Sequence, residues 1–366
     1  NLVFLVDVSG SMSAANKLPL VKQSLKLLVG ELGASDRISL VTYAGQAALR
    51  LPPTPGDDKA TILAAIDGLA SGGSTHGSAG IEMAYAQAAE HFVEGGVNRV
   101  LLATDGDLNV GITSDTALES LIREKAQSGV FLTVLGLGEG NLQDAKMERI
   151  ADKGNGIYAY IDGLREARKV LVEQLTGSTI TVAKDVKLQV EFNPATVAGY
   201  RLIGYENRLL AAQDFRDDTK DAGEIGAGHS VTALYEIVPR GVAPGRGAEP
   251  LKYQQQPEPP VILADETGEP SDDLLTVKLR WKQPEGSTSQ LAEFPLADRG
   301  GAFEAASTDL RFAAAVASFG LLLRGSEQAG SVTFAKTAQI AAEALGADSG
   351  GYRTEFVDFV RKAAGG

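Results

Sequence analysis

The chain has 366 residues, of which 44% are hydrophobic and 22% charged, values typical of folded globular proteins. At roughly 100 to 200 residues per domain, this length predicts two or three domains. Its 47 acidic and 34 basic residues give a net charge of −13, so the protein repels phosphate backbones and we do not expect it to bind nucleic acid. The absence of cysteine excludes disulfides, thiolate zinc sites and cysteine nucleophiles.

No stretch of the sequence predicts a transmembrane segment. The most apolar run, Phe312 to Leu323, is much shorter than the roughly 20 residues that a helix needs to cross a bilayer, and it predicts a packed helix instead. The chain opens on Asn1 rather than Met and runs at once into an apolar strand. We therefore expect that a leader or an upstream segment has been removed.

From residue 1 to about 176, short apolar runs alternate with amphipathic stretches, a rhythm typical of strands and helices around a parallel sheet. Pro52 and Pro53 cannot donate hydrogen bonds to a neighbouring strand, so the strand before them is predicted to be short and to lie at the sheet edge. The six predicted strands are Leu2–Val6, Arg37–Tyr43, Ala47–Leu51, Arg99–Thr104, Val130–Leu137 and Ile157–Ile161.

After Gly177 the hydrophobic period changes to two, which predicts β-strands. Val186, Leu188, Val190 and Phe192 alternate with polar residues, as in a strand with one buried face. The further predicted strands are Tyr200–Tyr205, Ser230–Val238, Leu274–Trp281 and Ala292–Leu296, and together they favour an antiparallel sandwich.

Helical spacing returns from Ser307 onward. Leu310, Ala314, Ala317 and Leu321 are spaced to share one helix face. Two more helices are predicted, over Ser331–Leu345 and Gly351–Ala364.

The strongest functional signal is Asp7-Val8-Ser9-Gly10-Ser11, which follows the first buried strand. Taken singly, Asp7 is typical of a turn residue, and Ser9 and Ser11 are typical of helix caps. Together they supply a carboxylate and two hydroxyls, half of the six oxygens that Mg²⁺ prefers. Thr75, in a glycine-rich loop, and Asp105, directly after another apolar strand, are expected at the same sheet edge, since loops after neighbouring parallel strands converge there.

The charge of these residues indicates what such a site does. Two carboxylates only balance a divalent ion, because the three hydroxyls are neutral, and the ion can therefore accept a further anion. A carboxylate from a partner protein could complete the shell by displacing water, a binding mechanism that needs no catalytic base.

These residues resemble the von Willebrand factor A family, in which Asp-x-Ser-x-Ser, a distant Thr and a distant Asp form a metal-ion-dependent adhesion site. The resemblance covers residues 1 to about 176. It implies Ser9, Ser11 and Thr75 as direct ligands and Asp7 and Asp105 as direct or water-mediated ligands. The ion implied is Mg²⁺, with Mn²⁺ or Ca²⁺ as alternatives. The stretch from Asp105 to Gly111 and the β-rich part after it resemble the bacterial YfbK-type subgroup, whose members carry an extra domain after the A domain.

Two other functions are compatible with parts of the sequence. Haloacid-dehalogenase type phosphatases, which are Mg²⁺-dependent, also place an aspartate after the first strand, but they need a second aspartate two residues later as general acid, where this chain has Ser9. We therefore predict that the protein is not an enzyme. A structural scaffold within an envelope complex, with a metal that does not exchange its ligands, remains an alternative to partner binding.

The predicted architecture is a Rossmann-like, doubly wound, mostly parallel six-stranded sheet in the order 3-2-1-4-5-6, with the short edge strand antiparallel. The predicted parts are a von Willebrand factor A domain over residues 1–176, a β-rich, sandwich-like domain over 177–300 and a C-terminal helical segment over 301–366. The family resemblance implies a bacterial protein of the cell envelope that binds a protein partner.

Overall fold

The computed structural model describes residues 1–73, 77–106, 115–139, 142–174, 181–204, 209–218, 223–227, 229–241, 271–284 and 286–365. The chain forms two compact units, one of residues 1–184 with 223–229 and the other of residues 185–222 with 230–366. The domain boundary predicted at residue 176 lies outside the described residues, and the division into three parts stays a prediction. None of the described helices is both long and apolar enough to span a membrane.

The first unit contains the predicted six-stranded sheet, in the order β3-β2-β1-β4-β5-β6. All neighbouring strands are parallel except β2 and β3, so the predicted strand order and the antiparallel edge strand are confirmed. The strands are β1 (Leu2–Asp7), β2 (Arg37–Tyr43), β3 (Ala47–Pro55), β4 (Arg99–Thr104), β5 (Phe131–Leu137) and β6 (Tyr158–Ile161).

Helices cover both faces of this sheet. Successive side chains of a strand point to opposite faces, so Phe4 belongs to one apolar core and Leu5 to the other. Helices α1, α2 and α6 pack on the face of Phe4, and α3, α4 and α5 pack on the face of Leu5. The helices are α1 (Leu18–Glu31), α2 (Lys59–Asp67), α3 (Gly77–Glu90), α4 (Asp115–Ala126), α5 (Asp144–Lys153) and α6 (Leu164–Arg168), which continues as a π-helical turn over Lys169–Gln174.

Strand β3 is longer than its proline pair predicts. It runs on to Pro55, where the prediction ended it at Leu51. Thr54 pairs with Ile38 and Leu51 pairs with Leu40, and the register shifts between these two pairs, where Pro52 and Pro53 lie. An irregularity therefore accommodates the residues that cannot donate, and the ladder resumes beyond them.

The strands of the later β-rich part form a four-stranded sheet in the order β12-β11-β7-β9 and a two-stranded sheet of β10 and β8. The ring of Phe192, on β7, stacks on Tyr200, on β8, at 3.9 Å and meets Tyr235, on β10, edge-on at 5.4 Å. The strands are β7 (Thr181–Phe192), β8 (Val197–Ile203), β9 (Gly223–Gly226), β10 (Leu234–Pro239), β11 (Asp273–Lys282) and β12 (Ser289–Ala297).

Two charged residues in the middle of β7 are buried, whereas an apolar neighbour is exposed. Asp185 and Lys187 are 7% and 3% exposed, whereas Leu188 is 48% exposed. Lys187 Nζ lies 3.4 Å from Asp185 Oδ1, and Lys282 Nζ, on β11, lies 2.8 Å from Asp185 Oδ2. Since an ion-paired carboxylate and ammonium can be buried together, Asp185, Lys187 and Lys282 form a largely buried charged cluster.

Three helices end the chain: α7 (Thr308–Leu323), α8 (Phe334–Glu343) and α9 (Tyr352–Gly365). The Ser307 side chain caps α7 by accepting a hydrogen bond from the Leu310 amide at 3.2 Å. Of the residues predicted to share one face of α7, Leu310 is 46% exposed, whereas Ala315 is buried and Phe312 packs against Phe356. The helix is apolar nearly all round, so its spacing did not specify which face packs.

Candidate functional site

The carboxyl ends of β1, β2 and β4 meet at one edge of the six-stranded sheet. Asp7 ends β1 and is the register partner of Tyr43, the last residue of β2. Asp105 directly follows Thr104, the last residue of β4. Both aspartates are completely buried. The structure therefore brings the two predicted carboxylates to the same sheet edge, as expected for loops after neighbouring parallel strands.

Two hydrogen bonds orient the carboxylate of Asp7. The backbone amide of Ser9 donates to Asp7 Oδ1 at 2.9 Å, and the hydroxyl of Thr104 donates to Asp7 Oδ2 at 3.2 Å. Burial raises the pKa of Asp7, the hydrogen bonds from Ser9 lower it, and the charge of Asp105 raises it again. The net effect is a pKa above the ordinary value, so the ionised carboxylate is held in an environment that disfavours its charge.

The two serines of the loop lie side by side. Ser9 Oγ and Ser11 Oγ are 3.0 Å apart, with Ser9 buried and Ser11 exposed. The 3₁₀ turn Gly10–Ser13 holds them, and its Met12 side chain is fully buried, which anchors the turn to the core. One carboxylate and two hydroxyls are thus presented from five consecutive residues.

Thr75, the remaining predicted ligand, lies outside the described residues. The start of its glycine-rich loop, Gly72 and Gly73, is among the described residues and lies against the loop that carries Ser9 and Ser11. Gly10 N donates to Gly73 O at 3.1 Å, and Gly72 N donates to Val8 O at 2.7 Å. Gly73 has φ of +84°, a left-handed conformation that favours glycine. These two backbone bonds join the loops that carry the Asp-x-Ser-x-Ser motif and Thr75.

Three residues of the site were not predicted from the sequence: Lys17, Tyr43 and Thr104. Lys17 Nζ forms a buried ion pair with Asp105 Oδ2 at 2.8 Å. The phenol of Tyr43 is buried close enough to Asp7 that burial and the Asp7 charge raise its pKa. Parallel register alone points to Tyr43 and Thr104, because each ends a strand beside β1, but the position of Lys17 has no such signal.

The donor atoms of this site are carboxylate and hydroxyl oxygens, which suit a hard cation. Within the described ranges, no group of three or more His, Cys, Asp or Glu side chains is placed to hold a metal ion, so a site here depends on hydroxyls as well as carboxylates. Burial, and to a smaller extent the negative charge of Asp105, raises the pKa of Asp7. A cation relieves the repulsion between the two carboxylates, and oxygen donors suit Mg²⁺, so the residues fit the ion that the sequence predicts.

The comparisons with known proteins divide the chain into two parts. Residues 1–173 match the von Willebrand factor type A domain, and residues 177–365 match the C-terminal domain of uncharacterized protein YfbK. Uncharacterized protein YfbK of Escherichia coli (strain K12) is 49% identical over 365 residues, which is 100% of this chain and 62% of that protein. Inter-alpha-trypsin inhibitor heavy chain H4 of Homo sapiens is 29% identical over 167 residues, which is 43% of this chain and 18% of that protein.

The chain thus spans less than two thirds of the length of these curated relatives. A solved structure, the von Willebrand factor type A protein from Catenulispora acidiphila, aligns with 99% of this chain and 82% of its own, at 19% identity and a TM-score of 0.49. Von Willebrand factor type A domains commonly mediate protein interactions. The chain belongs to the YfbK family and carries a von Willebrand factor type A domain followed by the YfbK C-terminal domain.

Proposed function

We propose that the type A domain binds one divalent cation through Asp7, Ser9, Ser11, Thr75 and Asp105 and uses it to hold a partner protein by an Asp or Glu carboxylate. Mg²⁺ is the preferred ion, with Mn²⁺ or Ca²⁺ as alternatives. The observation that supports this best is the convergence of two buried carboxylates and two adjacent serine hydroxyls at one sheet edge. Four of the five proposed ligands are among the described residues.

The chain's own residues prepare this site before any ion binds. The Ser9 amide and the Thr104 hydroxyl fix both oxygens of Asp7, and the turn anchored by Met12 fixes the two serines. Such preorganisation reduces the entropy that binding costs, because the donors do not have to be ordered when the ion arrives. The bound ion supplies a positive charge that an anionic side chain of a partner can approach.

The residue types at the site favour a protein-binding role over catalysis. Ser9 stands where a phosphatase of similar topology needs a general acid, and a serine hydroxyl is a far weaker acid than the carboxyl group required there. We therefore expect no turnover of phosphate monoesters in Mg²⁺. Measurable hydrolysis by the wild type that Asp7→Asn abolishes would instead support the phosphatase alternative.

Calorimetric titration with Mg²⁺ and Mn²⁺ tests the metal site directly. We expect the wild type to bind one ion and both Asp7→Ala and Ser9→Ala to bind it at least tenfold more weakly, because each loses a ligand. Ser13→Ala is the matched control, since Ser13 is an exposed serine of the same turn outside the proposed ligand set. Absence of binding by the folded wild type, or unchanged binding by both ligand variants, contradicts the proposal.

Partner binding is tested by capture from a bacterial lysate on the immobilised chain. We expect one or more proteins to be retained in Mg²⁺, released by EDTA and not retained by Ser9→Ala. Retention that neither treatment changes, with one ion still bound, would favour a structural scaffold whose metal does not exchange ligands.

The envelope location implied by the family resemblance also stays a prediction, which fractionation of cells expressing the native gene can test.

A further inference from the structure

Lys17 is built into the candidate site, although it lies outside the Asp-x-Ser-x-Ser motif. It is the residue directly before α1, where its backbone amide donates to Ala14 O at 3.0 Å and its carbonyl accepts from the Val21 amide at 2.9 Å. Its ammonium group lies 2.8 Å from Asp105 Oδ2, and the two side chains are 10% and 0% exposed. Backbone and side chain are thus both fixed, and the charge is removed from bulk water.

The aliphatic stem of Lys17 occupies a slot that only a glycine leaves open. Gly138 follows β5, and a Cβ atom at that position would lie 2.3 Å from Lys17 Cε. Gly138 has φ of +77°, and its carbonyl accepts a hydrogen bond from the Tyr160 hydroxyl at 3.1 Å. The loop before α1, the end of β4 and the end of β5 therefore combine to aim this ammonium at Asp105.

Among the described residues of the site, Lys17 changes the net charge from two negative to one negative. Asp7 and Asp105 each contribute one negative charge, and Lys17 contributes one positive charge. A carboxylate has about four lone-pair positions, so the contact with Lys17 at Oδ2 does not by itself prevent Asp105 from meeting a second cation. Charges at this depth interact more strongly than in water, so one unit of charge alters the affinity for any ion nearby.

We infer that Lys17 is a resident counter-ion that stays on Asp105 when a divalent ion is bound and gives the occupied site a net positive charge. This inference rests on the proposed function and deepens it. Asp7, Asp105 and Lys17 together contribute one negative charge to a divalent ion, so these three side chains leave a charge of about +1 for an incoming carboxylate. Lys17 weakens metal binding and strengthens binding of the anionic ligand, which makes it a specificity-determining residue for the partner.

Titration of Mn²⁺ into the full chain, monitored by the relaxation rate of water protons, tests the role of Lys17 without a known partner. We expect Lys17→Met to bind Mn²⁺ roughly ten- to a hundredfold more tightly than the wild type, since a neighbouring positive charge is lost. Acetate is the carboxylate probe. Added to the Mn²⁺-saturated proteins, it should displace metal-bound water from the wild type at concentrations roughly tenfold lower than from Lys17→Met.

Three further variants separate charge from shape and from folding. Lys17→Arg keeps the charge and should bind Mn²⁺ within about threefold of the wild type. Lys17→Gln is a second neutral variant whose amide can still donate to the buried Asp105, so it guards against loss of the fold in Lys17→Met. Lys26→Met removes the same charge elsewhere on α1, where Lys26 pairs with Asp67 at the surface, and should change neither titration.

The outcomes distinguish this inference from the proposed function. Equal or weaker Mn²⁺ binding by folded neutral variants, with saturable binding by the wild type, overturns the role of Lys17 and leaves the metal site standing. Mn²⁺ binding by the neutral variants alone overturns both, because Lys17 would then replace the ion rather than accompany it. Absence of Mn²⁺ binding in the wild type and in every variant also overturns both the role of Lys17 and the proposed metal site.

Discussion

The hydroxyl of Thr104 donates a hydrogen bond to Asp7 Oδ2 at 3.2 Å and so joins the ends of β4 and β1 across 97 residues of sequence. The same hydroxyl oxygen accepts a hydrogen bond from the Gly106 amide at 3.2 Å. Thr104 is completely buried, so no water competes for either bond. One side chain thus couples the orientation of Asp7 to the turn that carries Asp105.

Thr104→Val is expected to lower the free energy of unfolding by about 1–3 kcal/mol, because it leaves buried hydrogen-bonding partners unsatisfied while keeping the side-chain volume. Thr104→Ser keeps the hydroxyl and should cost less, which makes it the matched control. Urea unfolding followed by circular dichroism measures both. Calorimetry should also show weaker Mg²⁺ binding by the valine variant, and equal behaviour of the two variants contradicts the coupling.

Asp7→Asn should stabilise the metal-free protein at neutral pH, because burial first, and the charge of Asp105 in addition, hold the pKa of Asp7 above its ordinary value of 3.8. In the window between the ordinary and the raised pKa, the folded state binds more protons than the unfolded state, so stability falls as pH rises. The contribution of Asp7 to the free energy of unfolding is complete below the ordinary pKa and is lost as the pH rises through the raised pKa of the folded state. The advantage of the asparagine variant therefore grows with pH and then levels off.

Urea unfolding in EDTA between about pH 4 and pH 7 measures this difference. Asp67→Asn serves as the control, since the Asp67 side chain is 57% exposed and pairs with Lys26 only at the surface. The difference in the free energy of unfolding between Asp67→Asn and the wild type should not grow with pH in the same way. A wild type that gains stability relative to Asp7→Asn as pH rises would falsify the prediction.

Gly138→Ala should destabilise the protein by about 1–3 kcal/mol, because alanine is strained at a positive φ and its Cβ collides with the fixed stem of Lys17. Gly30→Ala is the matched control within α1, where a Cβ meets nothing within 4 Å. That change should stabilise by about 0.5–1 kcal/mol, since alanine favours a helix over glycine. Thermal unfolding compares the two, and opposite signs are expected.

Part of the loss in Gly138→Ala should be recovered in a Lys17→Ala background, because the collision disappears while the backbone strain remains. Simple additivity of the two substitutions would mean that residue 138 does not constrain Lys17.

Asp185→Asn should cost about 3 kcal/mol, because two largely buried ammonium groups, of Lys187 and Lys282, lose their carboxylate. Asparagine tolerates the positive φ of 55° at this position, so the change tests charge rather than backbone strain. Glu191→Gln on the same strand is the control, since Glu191 is 64% exposed where it pairs with Lys278. Its cost should stay below about 1 kcal/mol, and equal losses would contradict a buried charged cluster.

Much of the first unit could be predicted from residues alone. The strands around Phe4 and Leu102 are continuous apolar runs, which only a sheet covered on both faces can bury, and the strand order follows from the doubly wound topology. The convergence of Asp7 and Asp105 could be predicted simply because each follows one of two neighbouring strands.

The sequence was less informative about the second unit. Alternation on β7 correctly indicated a strand, but it could not tell that Asp185 and Lys187 are buried while Leu188 is half-exposed, because burial of charges depends on partners from other elements. The packed face of α7 was likewise undetermined, since an apolar helix presents several equivalent stripes until Phe356 and its neighbours select one.

The sequence by itself determined the strands of the type A domain and the oxygen donors of its candidate site, because hydrophobic periodicity and position after a strand are local properties of the chain. The strand order followed from the doubly wound topology that the alternation of strands and helices indicates. Only the tertiary structure decided the charge of that site. Lys17, Thr104 and Gly138 come from three different segments, and an ion pair of 2.8 Å exists only where folding places its members together. Electrostatic interactions depend on distance and burial, which no local pattern specifies.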